Sequence, residues 1–586
     1  STYYLRLPFD GSRYVLAYST DKQAYTTDIT VHYWYEEVGG QYVSQVRVYK
    51  DPKSDDRTNA YGYSSNQISH RVVEANELKV VSFPALEYLS ANKILTSVPH
   101  SSNDVMVNSV INNVQMRTGS FNKNRDNGYG LIGENRGTIY NIYTNNISLV
   151  MYDVKNGSPC DYVGSVPADD RSILPSDNAV EIKEGKAPTY SMKLNNKPVG
   201  GLVGLNTGNI GNVSGVDDAT NTVRMSNSVV MAGEYWVILG FSDGVGGVIG
   251  KNDGNTYGFI EIDGSFAVLG QNKVGGVIGN NIKNINARIA VNSPDFAEAA
   301  SAFTFPNESM SGKPISCVVG AKYTSGGAIG YFENSTIAEI ANNPQFTAAN
   351  VNTATGAITY SGRYQIDVNL PVNSLVLSVP DTDTTALRNC GGAVGYMSGC
   401  SGYISINVVN NGDVVLYETD RNTAAYCGGA IGFEKDCSST LFVNVVNAAN
   451  TVIGPFVASP DSTAQERLPD STGGAIGYMQ TYSGDRTVAV NITNGAAISA
   501  KSAGDNNGVG GAVGLISANS GLKALYISVT NTGAISGGSY VGGSIGNIAT
   551  NTINNGCDEQ TFTHYKSAKS IYAVICQKFG EDGTTL

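Results

Sequence analysis

Eight cysteines, four histidines, a scatter of carboxylates and a set of regularly spaced aromatic rings are the side chains of this 586-residue chain that could carry chemistry. The cysteines are Cys160, Cys317, Cys390, Cys400, Cys427, Cys437, Cys557 and Cys576, and none forms a Cys-x-x-Cys pair. Zinc ligation and thioredoxin-like exchange, which use that spacing, are therefore not expected. Cys390 and Cys400 lie ten residues apart, as do Cys427 and Cys437, at equivalent points of consecutive repeats. Disulfides are expected from this spacing, either within each repeat or between the two repeats as stacked neighbours, and spacing alone does not choose between them. The alternative is free thiols buried as small hydrophobes.

His32, His70, His100 and His564 are far apart and none is followed by Glu. That removes the His-Glu-x-x-His arrangement, in which two imidazoles on one helical face hold zinc and the Glu activates water. Paired carboxylates at Asp169-Asp170, Asp217-Asp218 and Asp381 with Asp383 are the candidates for glycoside or polysaccharide cleavage, or for a calcium ion stabilising a loop. Each falls in a polar loop rather than at a constant strand position, so solvated loop carboxylates are the expectation. No Gly-x-Ser-x-Gly elbow adjoins a histidine, and the glycine-rich segments lack the Gly-Lys-Ser/Thr of a phosphate loop. Tyr331, Tyr396, Phe433 and Tyr478 recur at equivalent positions and predict an aromatic stripe for glycan or protein contact, or simple surface packing. Asn-x-Ser/Thr sites such as Asn146, Asn212, Asn307, Asn334 and Asn491 matter only in a host that glycosylates them.

The elements that position these side chains come from a repeat. Gly-Gly-x-(Val/Ile)-Gly begins at Gly200, Gly246, Gly275, Gly326, Gly391, Gly428, Gly473, Gly510 and Gly542, with a partial copy at Gly130–Gly133. Intervals range from 29 to 65 residues, so the unit varies in length while its motif does not, as in a stacked coil with insertions at its corners. The fourth position is always β-branched: Val203, Ile249, Ile278, Ile329, Val394, Ile431, Ile476, Val513 and Ile545, with Ile132 in the partial copy. Stacked once per turn, these predict an aliphatic ladder along the axis. The third position is expected to point the other way, towards a crowded neighbour. A second strand with period-two alternation follows, clearest at Ile404–Val408, Val443–Val445, Val488–Ile492 and Ile527–Val529. Each soon reaches an asparagine, Asn410, Asn447, Asn494 or Asn531, whose amide could bond to the next one up the stack. A third short strand is centred on Val414, Val452, Ile498 and Ile535. The predicted fold is all-β, a right-handed parallel β-helix in the form of a three-sided solenoid.

Charged residues are 15% of the chain, against roughly 25% in typical soluble domains, and Asn, Ser, Thr, Gly and 34 Tyr supply the polar surface instead. A net charge of -12 with scattered Lys and Arg argues against nucleic acid and anionic membrane as partners. No apolar run is long enough to span a bilayer, so membrane insertion is not expected of the chain, and a Ser at position 1 suggests a processed or trimmed product. Residues 1–104 read as a β-rich N-terminal cap or assembly domain, with a hairpin of Thr30–Tyr35 and Val43–Tyr49 joined through Gly39-Gly40. Residues 105–556 read as solenoid with insertions at 160–198 and 377–389, and 557–586 as a small C-terminal cap. Ser567–Phe579 is a candidate short amphipathic helix there, tied down by Cys557 and Cys576.

The segments Gly130-Leu-Ile-Gly-Glu-Asn-Arg-Gly-Thr-Ile-Tyr-Asn-Ile-Tyr143 and Gly200-Gly-Leu-Val-Gly-Leu-Asn-Thr-Gly-Asn-Ile210 closely resemble the bacterial GLUG repeat. About three quarters of the chain shows that pattern in degenerate form, with Ala, Tyr or Phe replacing Leu or Asn in later copies. GLUG repeats occur in large surface proteins and adhesins, and beside the catalytic domain of some surface peptidases. The resemblance implies a β-solenoid, a cell-surface location and a scaffold or adhesive role. The expected function is therefore an extracellular structural or adhesive protein, in the assembly version a self-associating subunit of a filament, sheath or surface layer. Its expected partners are copies of itself, cell-surface proteins or glycans, with no cofactor required. A β-helix carbohydrate-active enzyme, or the repeat region of a larger surface peptidase, is the alternative.

Overall fold

A β-branched residue at one fixed position of every repeat is buried along a common seam only if successive copies lie side by side. In the computed structural model Ile132, Val203, Ile249, Ile278, Ile329, Val394, Ile431, Ile476, Val513 and Ile545 stand opposite one another in unbroken parallel register. All but the last are fully buried. Each such aliphatic side chain contributes roughly 1.5–3 kcal/mol on transfer from water, so the seam is a major source of cohesion. The structure describes most of residues 105–151, 197–211, 228–293, 317–416, 424–455, 469–500 and 507–548, together with isolated strands before residue 70 and Ser570–Gln577.

The chain is all-β, and among the described residues there is no helix. One coil illustrates the rest. It runs through Ala425–Gly428, Ile431–Lys435, Thr440–Asn447 and Val452–Pro455, and each strand pairs in parallel with its counterpart one coil away. We refer to these as the first to fourth sheets, which hold nine, ten, thirteen and twelve strands among the described residues. With a strand spacing of about 4.8 Å, the ten strands of the second sheet extend roughly 43 Å along the axis. One continuous apolar core runs from Tyr129 to Val529.

The coil has four strands because the glycine motif does not lie within a single strand. Gly428 ends the first strand, Gly429 and Ala430 form a two-residue corner, and Ile431 opens the second. A Cβ on Gly428 would strike the Ile431 carbonyl oxygen, and one on Gly429 the Gly474 carbonyl oxygen of the next coil. Both glycines are therefore required by close backbone approach rather than by chain flexibility. The turn also brings the third motif position into the core instead of away from it: Leu202, Val248, Val277, Ala328, Ala393, Ala430, Ala475 and Ala512 are fully buried in the same cluster as the fourth position.

The strand that closes each late coil differs by one residue from the sequence expectation in one place. Val414 stands opposite Ile453, not Val452, and Ile453 stands opposite Ile498. The corner between Asn447 and Ile453 is two residues longer than that between Asn410 and Val414, so the inward position moves on to Ile453 and Val452, one residue before it, falls on the half-exposed side. Asn450 takes a positive φ of 69° within that longer corner.

At the N-terminal side the predicted hairpin is present as Thr30–Val38 paired with Gln41–Tyr49, and Thr30–Val38 continues the fourth sheet by running parallel to Gln115–Thr118. At the other end the expected helix is corrected. Ser570–Gln577 is a strand, antiparallel to Leu522–Asn531. Its sequence, Ser-Ile-Tyr-Ala-Val-Ile-Cys-Gln, is rich in β-formers, and the last long strand of the third sheet offers it a row of backbone partners. The expected insertion at 377–389 is shorter than read from sequence, since Leu375–Ser378 and Arg388–Gly391 are strands.

Candidate functional site

The repeated aromatic position lies on the second sheet, immediately after the corner. Tyr331, Tyr396, Phe433 and Tyr478 stand in register, with ring centroids 4.7, 5.3 and 4.7 Å apart. Stacking along the axis is thus present, but access is not uniform. Phe433 is only 5% exposed and Tyr478 9%, because Tyr426 of the first sheet packs against both and Leu515 continues the column. An exposed stripe of four rings is corrected to a short one of two. Tyr331 and Tyr396 keep accessible surface, and the Lys273 ammonium sits 4.4 Å above the Tyr331 ring and 3.7 Å from Glu333. Burial pushes the Tyr331 hydroxyl up to about 12, so it stays protonated as a donor.

Asparagines form three ladders. At the corner that closes the long third-sheet strand, Asn410 donates to Asn447 at 2.8 Å, Asn447 to Asn494 at 2.9 Å and Asn494 to Asn531 at 2.7 Å, as the recurrent asparagine predicted. A second ladder, which sequence reading missed, occupies the end of the early second-sheet strands. Asn135 donates to Asn206, Asn206 to Asn252 and Asn252 to Asn281, each at 2.7 Å, and Asn281 donates to Ser335 at 2.8 Å. Its signal was the Asn two residues after the last motif glycine, in Gly133-Glu-Asn135 and Gly204-Leu-Asn206. Both ladders are buried, where an unpaired amide would be costly, so each is a stack of mutually dependent bonds. Replacing Asn447 with alanine removes its bonds to Asn494 and the Gly474 carbonyl and leaves the Asn410 amide only its bond to the Gly429 carbonyl. A loss of about 2–3 kcal/mol is expected, measured as a fall in the unfolding midpoint. An unchanged midpoint would show that the ladder carries no net stability.

The third ladder faces outward on the third sheet. Asn407 donates to Asp367 at 2.8 Å, Asn444 to Asn407 at 2.7 Å and Asn491 to Asn444 at 2.8 Å. Beside it a small ribbon, Val351–Asn352 paired with Ala357–Ile358, joins Tyr360 and Tyr364 in packing against Tyr403, Phe442, Ala489 and Tyr526. The ladder uses one donor and one acceptor of each internal amide, leaving a planar row of polar groups next to aromatic rings. Such a face suits hydrogen-bonded contact with polar, ring-shaped or extended partners.

The five cysteines among the described residues, Cys317, Cys390, Cys400, Cys427 and Cys437, are all buried. Cys390 stands directly opposite Cys427 on the first sheet, and Cys437 Sγ accepts a hydrogen bond from the Cys400 amide at 3.3 Å at the corner between the second and third sheets. The contacts run between coils; neither cysteine of a repeat reaches its partner ten residues along. Burial pushes the Cys427 and Cys437 thiols well above their ordinary range. Beside Cys437 lies a fully buried ion pair, with Arg486 Nη1 2.8 Å from Glu434 Oε1 and 3.0 Å from the Cys437 carbonyl. Burial raises the Glu434 carboxyl and the Arg486 guanidinium opposes that shift.

Asp169, Asp170, Asp217, Asp218, Asp381 and Asp383 lie outside the described residues, as do Cys160, Cys557, His70, His100 and His564. His32 and Cys576 fall in strands whose side chains are likewise outside them. Among the described residues no three His, Cys, Asp or Glu side chains gather as a metal site, and no helix is long and apolar enough to cross a membrane. Compared with family models, with curated proteins and with solved structures, the chain matches none.

Proposed function

We propose that this is an extracellular structural or adhesive surface protein whose solenoid acts as a stiff scaffold and associates end to end with further copies. One observation supports the assembly most directly. Val199, Val245, Val274, Ser325, Cys390, Cys427, Thr472, Val509 and Val541 form a single column along the first sheet. The first eight are 0% exposed, whereas Val541 is 45% exposed and its neighbour Tyr540 42%. Val541–Gly542 and Ile545–Ile548 are the last strands of their sheets among the described residues. Among the described residues, Val541 alone in the column has no coil of the same kind on its far side. A strand edge of this type is a template for pairing with another chain, and a second solenoid is the partner whose shape it already matches. The outward row of Asp367, Asn407, Asn444 and Asn491 is the face best suited to a surface protein or glycan in the adhesive role. The likeness of Gly130–Tyr143 to GLUG repeats supports the same location.

The test combines light scattering with electron microscopy of the full chain over a range of concentrations, beside a Val541→Lys variant. Concentration-dependent end-to-end particles are expected, at least tenfold fewer in the variant, with the unfolding midpoint unchanged because Val541 is at the end of its column. A protein that stays monomeric throughout and does not associate with cell surfaces would refute the assembly reading.

A further inference from the structure

The four cysteines Cys390, Cys400, Cys427 and Cys437 occupy two columns that hold other residues in other coils. Cys390 and Cys427 replace the valine found at Val199, Val245, Val274 and Val509. Cys400 follows Ser335 at its corner, since Asn334 and Thr336 flank the same register positions as Gly399 and Ser401. In both columns the cysteine appears in the same two consecutive coils and nowhere else among the described residues. Packing alone explains neither coincidence, because valine and serine fill the same spaces.

We propose that Cys390 is joined to Cys427 and Cys400 to Cys437, so that two disulfides tie one coil to the next at two separate points. Residues directly opposite on neighbouring strands have Cα atoms about 4.8 Å apart, inside the 4.4–6.8 Å range that a disulfide spans. Cys427 and Cys390 are within side-chain contact, and so are Cys437 and Cys400. Bridges within each repeat are excluded by the same register. Cys390 Sγ points into the core, 3.4 Å from the Val376 carbonyl of the fourth sheet, whereas Cys400 Sγ lies 3.2 Å from the Phe332 carbonyl at the end of the second-sheet strand one coil earlier.

The oxidant is a dissolved disulfide such as oxidised glutathione. A cysteine thiolate displaces one thiol from it to form a mixed disulfide, and the opposite cysteine displaces the second. One sulfur–sulfur bond breaks and one forms; two electrons pass to the oxidant, which leaves as two thiols carrying the two cysteine protons. All four sulfurs are buried in the finished coil, out of reach of a dissolved disulfide or thiol. The exchange therefore takes place while the coils are closing, and the bonds are afterwards shielded from reductant.

The test folds the full chain from urea in a glutathione redox buffer, blocks remaining thiols with N-ethylmaleimide in acid and maps the tryptic peptides without reduction. Trypsin places Cys390 and Cys400 together in 389–421, Cys427 in 422–435 and Cys437 in 436–467. The expected product is one species of all three peptides. In Cys390→Val the peptide 422–435 is released with Cys427 blocked, while 389–421 stays bound to 436–467. Cys400→Ser releases 436–467 instead and leaves 389–421 bound to 422–435. Both replacements copy residues that other coils hold at these positions, so folding is retained. Recovery of all three peptides singly with every cysteine blocked, an internal loop within 389–421, or release of the opposite peptide in either variant would overturn the proposal. None of these outcomes bears on end-to-end assembly, which is read separately.

Discussion

Glu434→Met is expected to lower stability by about 3–5 kcal/mol, although methionine is the residue the neighbouring coils hold at that position. Phe332, Met397, Glu434, Met479 and Ile516 form one inward column, so the space suits Met well. The loss arises on the partner. Arg486 is as buried as Glu434, and without the carboxylate 2.8 Å away its charge has no counter-ion in a low-dielectric interior. Adding Arg486→Leu, the residue that stands opposite Arg486 in the next coil as Leu522, removes that charge. The double variant is expected to return to within about 1 kcal/mol of the parent or above it, since well-packed apolar replacements of buried pairs are commonly neutral or stabilising. Urea unfolding of the parent, both single variants and the double variant measures the coupling. A single Glu434→Met change costing less than about 1 kcal/mol would show that Arg486 finds water or another partner.

Gly429→Ala is expected to be nearly as damaging, about 3 kcal/mol, despite adding one methyl group. The new Cβ would collide with the backbone carbonyl of Gly474, which no rotamer change can move aside. The next coil must shift, and it is itself held by Gly429 N–H to the Gly473 carbonyl at 3.2 Å. The collision should open the stack locally, so limited proteolysis is expected to gain cleavage near 417–423 and 456–468 together with the lower midpoint. Thr493→Ala, on the exposed outer face, is the matched control and is expected to change the midpoint by less than about 0.5 kcal/mol. A Gly429→Ala variant with parental stability would mean that the corner has slack.

How much of this was legible in the sequence differs by residue type. The inward ladder from Ile132 to Ile545 and the alternating third-sheet strands could be read directly, because period-two burial and β-branching are local properties. The corner at Gly429-Ala430 could not, since glycine signals a tight approach without saying which strands approach. Val452 is misplaced for a related reason: a two-residue corner extension leaves the strand's composition intact while carrying the inward position on to Ile453. The aromatic column was found by spacing, but its partial burial by Tyr426 depends on a residue from a different sheet. The buried Glu434–Arg486 pair spans 52 residues and gave no local sign beyond a charged residue in an apolar column. The terminal strand Ser570–Gln577 was read as a helix because its apolar residues fit either period, and the open edge of Leu522–Asn531 decided the matter.

The two buried amide ladders occupy different corners and do not overlap. One stops at Ser335, and the other starts at Asn410, where the coil below presents Leu370 instead of an amide. The coil containing Ile329–Glu333 and Ile366–Leu370 receives the last bond of the first ladder at Ser335 and presents Leu370 where the second begins, so neither buried ladder passes through it. Each ladder can therefore be broken without interrupting the hydrogen bonds of the other, although both line one core.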